Sequence, residues 1–174
     1  MRRSFVIAAS AVAVAFAVGV LGVPAATTAT LQTPQLAAPP ATIVQYGYVR
    51  SLVRTGSRYR MRFDPALWLS GQTANRAAIE DGVIPPGESV PNDYYIHNES
   101  RKQLTYTVLP GAQVTVVTNS GVGGLRATRI AVSELAAIVA GRNPRQRKLY
   151  GRQLGYWARI AGDRAIRLDQ QYQP

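Results

Sequence analysis

The side chains that could carry out chemistry in this chain are few and widely separated. His97 is the single histidine, so a serine hydrolase would have to combine it with a serine such as Ser89 or Ser100. No G-x-S-x-G sequence is present to hold a nucleophilic serine on a strand-to-helix turn. We therefore interpret His97 as an ordinary strand histidine. Cysteine is absent, which excludes thiol catalysis, disulfides and cysteine-ligated zinc.

Four carboxylates between residues 80 and 93 offer a different chemistry, the hydrolysis of a cell-wall glycan. Such a reaction needs one proton donor and one base or nucleophile at a defined separation. The candidates are Glu80, Asp81, Glu88 and Asp93, and their positions are too general to assign these roles. A glycan hydrolase is therefore the alternative function, an enzyme is not favoured, and no catalytic residue is assigned.

Motifs for metals and cofactors are also missing from the sequence. The D-x-D-x-D-G spacing of a calcium loop does not occur, and one histidine cannot form a histidine-rich site. Residues 121–124 are glycine-rich but lack both the G-x-G-x-x-G pattern and the G-K-[ST] ending of phosphate-binding loops. The sequence predicts no metal site and no cofactor.

Charge is distributed in blocks, and this is the most informative feature of the chain, whose net charge is +11. Residues 43–62 hold five arginines and no acid, residues 64–99 hold six acids and one arginine, and residues 101–169 hold twelve basic residues and three acids. A positive surface of this kind suits polyanions. The alternative is that the arginines only fill solvated strand faces.

The candidate residues for binding an anionic ligand form two groups. Arg58, Arg60 and Arg62 alternate along one predicted strand and would share one of its faces. The densest basic loop contains Arg142, Arg145, Arg147, Lys148 and Arg152. The expected partners are an anionic cell-wall polymer, lipid headgroups or another exported protein, and nucleic acid is not expected.

Tyrosines interleave with the arginines along the chain, at positions 46, 48, 59, 94, 95 and 106. Aromatic rings could stack on sugars or bases. Tyrosine is also a good sheet former, so packing in a core or at its rim is the alternative interpretation.

Three β-hairpins are predicted to position these residues. The first joins residues 42–54 to 58–63, where polar and apolar side chains alternate. The second joins residues 102–109 to 112–118 through a Pro110-Gly111 turn, and the third joins 155–161 to 164–169 through a Gly162-Asp163 turn. Short helices are predicted over 74–81, and from a Ser133 cap to Gly141 with Leu135, Ile138 and Val139 buried.

These elements predict a mainly β (α+β) fold. A small antiparallel, partly closed β-barrel with one or two short helices protects the strand edges in a domain of this size. An N-terminal hydrophobic helix would precede the barrel.

The N-terminus predicts export. Arg2 and Arg3 precede an uncharged run from residue 5 to 23, as in a signal peptide or a signal anchor. We expect residues 1–26 to be that leader or anchor, residues 27–42 a Pro/Thr/Ala-rich linker, and residues 43–174 a single extracytoplasmic domain. The protein would be secreted, or held at the cytoplasmic membrane by residues 5–23, its only membrane contact. Without cysteine, a lipoprotein anchor is excluded.

Three stretches of sequence look like a recurring pattern. They are Phe63 to Leu69 (FDPALWL), Ala77 to Glu88 (AAIEDGVIPPGE) and Val90 to Ile96 (VPNDYYI). The pattern resembles small secreted or membrane-anchored actinobacterial proteins of unknown function, over about residues 43–174. The resemblance implies a shared extracytoplasmic β-rich domain and carries over no catalytic residue. We expect a non-enzymatic binding or structural module of the cell envelope.

Overall fold

The computed structural model describes residues 41–100, 102–151 and 155–173. The predicted N-terminal hydrophobic helix and most of the predicted linker lie outside these residues. Within the described ranges the elements follow in the order β1 (Thr42–Thr55), β2 (Arg58–Pro65), β3 (Leu67–Ser70), α1 (Gly71–Glu80), β4 (Tyr94–His97), β5 (Leu104–Asn119), β6 (Leu125–Ile130), α2 (Val132–Val139), β7 (Tyr156–Ala161) and β8 (Arg164–Gln170).

Five of the strands form a closed barrel, and this confirms the predicted fold class. The strand order is β2-β1-β7-β8-β5, and β5 also pairs with β2 to close the ring. Every barrel pairing is antiparallel except β5 with β8, which is parallel. The strand β6 extends the sheet beyond β5 and lies outside the ring.

The barrel has the topology of an OB-fold. In chain order the five barrel strands are β1, β2, β5, β7 and β8. The first of them pairs with the second and fourth, and the third pairs with the second and fifth. The helix α2 comes between the third and the fourth. This is the five-stranded Greek-key arrangement of that fold. Because one fold hosts many functions, the topology by itself selects no ligand.

The core fills the barrel interior and continues under α2. Met61 and Phe63 on β2 are fully buried, and so is Leu135 on α2. Their burial follows from period-two alternation in the strand and from the apolar stripe of the helix. Truncating a side chain of this size in a closed core costs about 3–5 kcal/mol for Phe→Ala.

A second, smaller layer packs outside the barrel. The strands β3 and β4 form an antiparallel ribbon, and α1 packs against both of them. Ala74 and Ala78 of α1 are buried beside Val90. This layer holds residues 67–97 together and places β4 within reach of the start of β1. Within the described residues, no helix has the length and apolar composition needed to cross a membrane.

The first and third predicted hairpins are confirmed. β1 and β2 pair up to Thr55 opposite Arg58, so the turn has two residues where three were predicted. Gly56 in that turn has φ of +60°, a conformation that glycine adopts without steric cost. β7 and β8 pair up to Ala161 opposite Arg164.

The second predicted hairpin is wrong. β5 runs without a turn through Pro110 and Gly111, and its register with β8 shifts between Val108 and Gln113. Its first part pairs with β2 and its last part with β6. Pro110 lies in the part of β5 that has no register partner. Its lack of an N–H therefore costs no hydrogen bond between strands.

Both predicted helices are present with shifted bounds. The predicted cap of the second is wrong, since the structure has Ala131 at the N-cap position and Ser133 inside the helix. The helix therefore begins two residues earlier than predicted, and its first residue, Val132, is fully buried in the core. Leu135 and Ile138 are buried as predicted.

Candidate functional site

Three arginines lie on the outward face of β2. Arg58, Arg60 and Arg62 are exposed, and they alternate with side chains that enter the barrel core. Alternate residues of a strand are about 6.6 Å apart, so the three charges form a row of about 13 Å. The predicted placement on one strand face is confirmed, and a role in binding stays a prediction.

A fourth arginine joins this row from a distant part of the sequence. Thr107 on β5 is the register partner of Arg60 on β2 and also of Arg164 on β8. Neighbouring strands lie about 4.8 Å apart, which places the Cα atoms of the two arginines roughly 10 Å from each other. We refer to Arg58, Arg60, Arg62 and Arg164 as the basic face.

Two turns adjoin the basic face, one at its Arg58 end and one beside its middle. The turn between β1 and β2 comes directly before Arg58, and the turn between β7 and β8 comes directly before Arg164. The backbone N–H of Thr107 donates to the carbonyl of Asp163 in the second turn, at 2.9 Å. This bond fixes the second turn beside the middle of the row.

No ion pair with another described residue neutralises the charges of the basic face. Among the described residues no salt bridge involves any of its four arginines. Arg50 and Arg167, by contrast, are paired with Asp64 and Asp169. Neighbouring arginines of the row, about 6.6 Å apart along β2, lie within one Debye length of about 8 Å at physiological ionic strength, so their potentials add to a positive field.

In the second predicted group, in the 142–152 segment, two arginines form ion pairs within the protein. Arg147 donates from Nε and Nη2 to the two carboxylate oxygens of Glu134, whose side chain is only 6% exposed. Arg145 lies 3.4 Å from the same carboxylate. The hydrogen bond to Glu134 raises the pKa of Arg147. Arg145 and Arg147, which were predicted to bind an anionic ligand, therefore form ion pairs with a buried glutamate of α2.

The other members of that group are Arg142, Lys148 and Arg152. Arg142 and Lys148 are exposed, and among the described residues neither side chain forms an ion pair. Arg152 lies outside the described residues. Among the described residues, the segment therefore offers two exposed cations without an ion-pair partner, where five basic residues were predicted to act together.

His97 lies on β4, as predicted, but both of its ring nitrogens face carboxylates. Nδ1 is 2.9 Å from Oδ2 of Asp81, and Nε2 is 3.6 Å from Oε2 of Glu99. The hydroxyl of Tyr95 also donates to Asp81, at 2.7 Å. The hydrogen bonds from Tyr95 and His97 lower the pKa of Asp81, and the bond to Asp81 raises the pKa of His97.

Asp81, His97 and Glu99 are also the described residues whose donor atoms lie close enough to share a metal ion. The two carboxylates approach opposite nitrogens of the ring, while one ion can bind only one of these nitrogens. The geometry is that of a histidine paired with two acids. It gives no support for a metal centre.

The other candidates for hydrolysis do not converge on His97. Glu80, Glu88 and Asp93 are exposed. The hydroxyl of Ser89 accepts from Asn75, and that of Ser100 accepts from the backbone of Lys102. Among the described residues no serine hydroxyl hydrogen-bonds to the histidine ring, so the structure provides no nucleophile and base pair.

The tyrosines lie away from the basic face. Tyr59 is buried in the barrel core, and Tyr46 is buried on the outside of the barrel below Trp68 and Trp157. Tyr94 stacks on Trp68. Packing explains these rings. No local sequence pattern indicated that the two tryptophans join them in one cluster.

Comparisons with protein-family models, with curated proteins and with solved structures find no match to this chain. The resemblance to exported actinobacterial proteins therefore stays a prediction.

Proposed function

We propose that this protein is a non-enzymatic binding module whose basic face binds an anionic polymer of the cell envelope. The observation that carries the proposal is the row formed by Arg58, Arg60 and Arg62 beside Arg164, without ion-pair partners among the described residues. The export predicted from residues 1–26 supports a location outside the cytoplasmic membrane.

The position of the basic face in the barrel supports a binding role. It flanks the third barrel strand, because its arginines lie on the second and fifth barrel strands, and it adjoins the turns that join the first strand to the second and the fourth to the fifth. In OB-folds this surface and these turns bind oligomeric ligands. Four arginines on the surface favour a ligand that carries negative charge.

The spacing of the charges supports a polymer over a small anion. A single phosphate or carboxylate engages one guanidinium, often through two parallel hydrogen bonds. A chain with repeated phosphates can engage several arginines along the row of about 13 Å. Binding should therefore grow with the length of the ligand and weaken with salt, because each contact releases counterions.

The experiment compares poly(glycerol phosphate), a teichoic-type polymer, with its monomer. We expect the polymer to bind the wild-type protein and the substitutions R58Q, R60Q and R62Q together to weaken binding by about tenfold or more. The slope of log K against log salt should fall by about one unit for each arginine removed, as for phosphate contacts in nucleic acids.

A matched variant separates a specific face from net charge. R126Q, R129Q and R142Q together remove the same charge from exposed positions on β6 and after α2. These substitutions should leave binding nearly unchanged. Equal loss in the two variants would contradict the proposal. Preferential binding to anionic vesicles over the polymer would replace the polymer with lipid headgroups.

A further inference from the structure

A cleft of about 540 Å³, lined by no residue of the basic face, lies between the start of β1, the start of β3 and the residues after β4. Its volume lies in the usual range for small-ligand sites, about 300–1,000 Å³. Aromatic residues line one side, and polar residues line the other. They are Tyr46, Trp68 and Trp157 on the aromatic side and His97, Asn98 and Glu99 on the polar side.

The aromatic side is a continuous layer of rings. The ring of Tyr46 meets Trp68 and Trp157 at interplanar angles of 73° and 60°, with centroids 5.2 and 5.1 Å apart. Trp68 also stacks on Tyr94, at 4.3 Å and 10°. Edge-to-face and stacked contacts are the favoured geometries of aromatic pairs, so the rings hold one another in place.

The C-terminal segment fixes this layer further. The indole N–H of Trp157 donates to the side-chain oxygen of Gln171 at 2.8 Å, and the amide of Gln173 donates to the hydroxyl of Tyr46 at 2.6 Å. Gly155 leaves room for that hydroxyl, since a Cβ there would lie 2.0 Å from it. The aromatic surface is therefore ordered before any ligand arrives, which lowers the entropy cost of binding.

The polar side offers donors and acceptors but little charge. Asn98, Ser100 and Gln45 provide amide and hydroxyl groups, and Glu99 provides a carboxylate that is 73% exposed. Among the described residues that line the cleft, none is lysine or arginine. In a chain with net charge +11, this cleft therefore lacks the arginines and lysines that an anionic polymer would bind.

We propose that the cleft binds a sugar ring of an uncharged glycan, in addition to the anionic ligand of the basic face. The C–H groups on one face of a sugar ring carry partial positive charge and pack against the negative face of an aromatic ring. Its hydroxyl groups both donate and accept hydrogen bonds, which suits the amides, the hydroxyl and the carboxylate of the polar side.

The arrangement of the rings favours a sugar over a quaternary ammonium ion. A cation cage needs several ring faces directed at one point. Here one face of Trp68 is covered by Tyr94, and the Tyr46 ring forms T-shaped contacts with both tryptophans, so the rings pack against one another and are not directed at one point. The result is a platform, which matches the flat side of a sugar ring.

The two tryptophans of the chain, Trp68 and Trp157, both line the cleft, so intrinsic fluorescence reports on this site alone. The probe is the uncharged tetramer of N-acetylglucosamine, titrated at low and at high salt. We expect a saturable change in tryptophan emission that is the same at both salt concentrations. No saturable change up to millimolar tetramer would overturn the proposal.

Variants on the exposed polar side test the site without removing its packed rings. Asn98→Ala and Glu99→Ala should each weaken binding by about threefold to tenfold, the loss of one hydrogen bond. Glu88→Ala removes an exposed acid that does not line the cleft and should bind like the wild type, as should R60Q. Thermal melting of each variant confirms its fold.

Two competition results complete the test. If tetramethylammonium displaces the tetramer or causes the same change in emission, the cleft is a cation site and the sugar proposal is wrong. If poly(glycerol phosphate) competes with the tetramer, the cleft and the basic face are not separate sites and the proposal is also wrong. Failure of the sugar proposal leaves the salt-dependent binding at the basic face unaffected.

Discussion

Arg60 and Arg164 lie on the same outward face of the barrel with Thr107 between them. They come from the second and the last strand of the barrel, and the parallel pairing of β5 with β8 brings them together. Like charges at this separation repel each other. The basic face therefore lowers the stability of the folded state, as expected for a surface that serves binding at the expense of stability.

Arg60→Gln should raise the free energy of unfolding by a few tenths of a kcal/mol at low salt. The substitution removes repulsion from the neighbouring arginines, which are farther away than directly opposite cross-strand pairs, so the effect should lie at the low end of the roughly 0.2–1 kcal/mol typical of such pairs. Urea unfolding at low and high salt measures it, and the gain should vanish at high salt. A loss of stability at both salt concentrations would mean that Arg60 makes a favourable contact in the folded protein.

Arg147→Ala should destabilise the protein by about 3 kcal/mol. The change leaves the carboxylate of Glu134, which is 6% exposed, without its main partner, and an uncompensated buried charge costs about 3–5 kcal/mol. Arg145 remains near the carboxylate and should offset part of this loss. Urea unfolding gives the value.

The control for this prediction is Arg142→Ala, which changes an exposed arginine of the same segment and should stay within about 0.5 kcal/mol of the wild type. Adding Glu134→Gln to Arg147→Ala should recover part of the stability, because it removes the buried charge. If Arg147→Ala is as stable as Arg142→Ala, the ion pair with Glu134 does not stabilise the fold.

The pair formed by Asp81 and His97 should make stability depend on pH in a defined window. The pKa of His97 is raised from 6.5 in the folded state, so its contribution is complete below pH 6.5 and is lost as the pH rises through the folded pKa. The pKa of Asp81 is lowered from 3.8, so its contribution is present above pH 3.8 and is lost as the pH falls through the folded pKa.

Comparison of the wild type with His97→Gln tests this window. The difference in melting temperature should be largest between pH 3.8 and 6.5 and should shrink at higher and at lower pH. Because His97 is the only histidine, its imidazole signal can be titrated by NMR without assignment. A midpoint at or below 6.5 would be inconsistent with the ion pair.

Gly155→Ala should destabilise the protein by about 1–3 kcal/mol, the usual cost of overpacking a filled site. The new Cβ would lie 2.0 Å from the hydroxyl and 2.3 Å from Cζ of Tyr46, a ring that is 3% exposed. Tryptophan emission should also change, because Tyr46 contacts both indoles.

Gly111→Ala is the matched control for Gly155→Ala, since a Cβ at position 111 meets nothing within 4 Å. Tyr46→Phe combined with Gly155→Ala should recover some stability by removing the clashing oxygen. If Gly155→Ala and Gly111→Ala behave alike, Tyr46 does not occupy the space beside Gly155.

Local patterns in the sequence predicted much of the fold. The alternation from Arg58 to Phe63 placed three arginines outside and the apolar residues inside, and the glycine-containing turns placed two hairpins. The Pro110-Gly111 signal failed because it is local. Pairing of one long strand with β2, β8 and β6 overrode the turn preference.

The remaining parts of the candidate sites depend on contacts between distant residues. Arg164 belongs to the basic face only through the parallel pairing with β5, and a lone arginine after a turn gives no signal of this. Arg145 and Arg147 looked free because nothing in the sequence shows that Glu134 is buried beside them. Trp68 and Trp157 meet only because the β3-β4 ribbon packs on the outside of the barrel.

The measurement that tests the basic face most directly is NMR mapping of backbone amides during titration with poly(glycerol phosphate). We predict that chemical-shift changes concentrate at residues 58–62, at Thr107 and at Arg164, and that they reverse when salt is added. Changes confined to residues 142–148 or to the cleft around Trp68, or no changes at all, would contradict the proposed function.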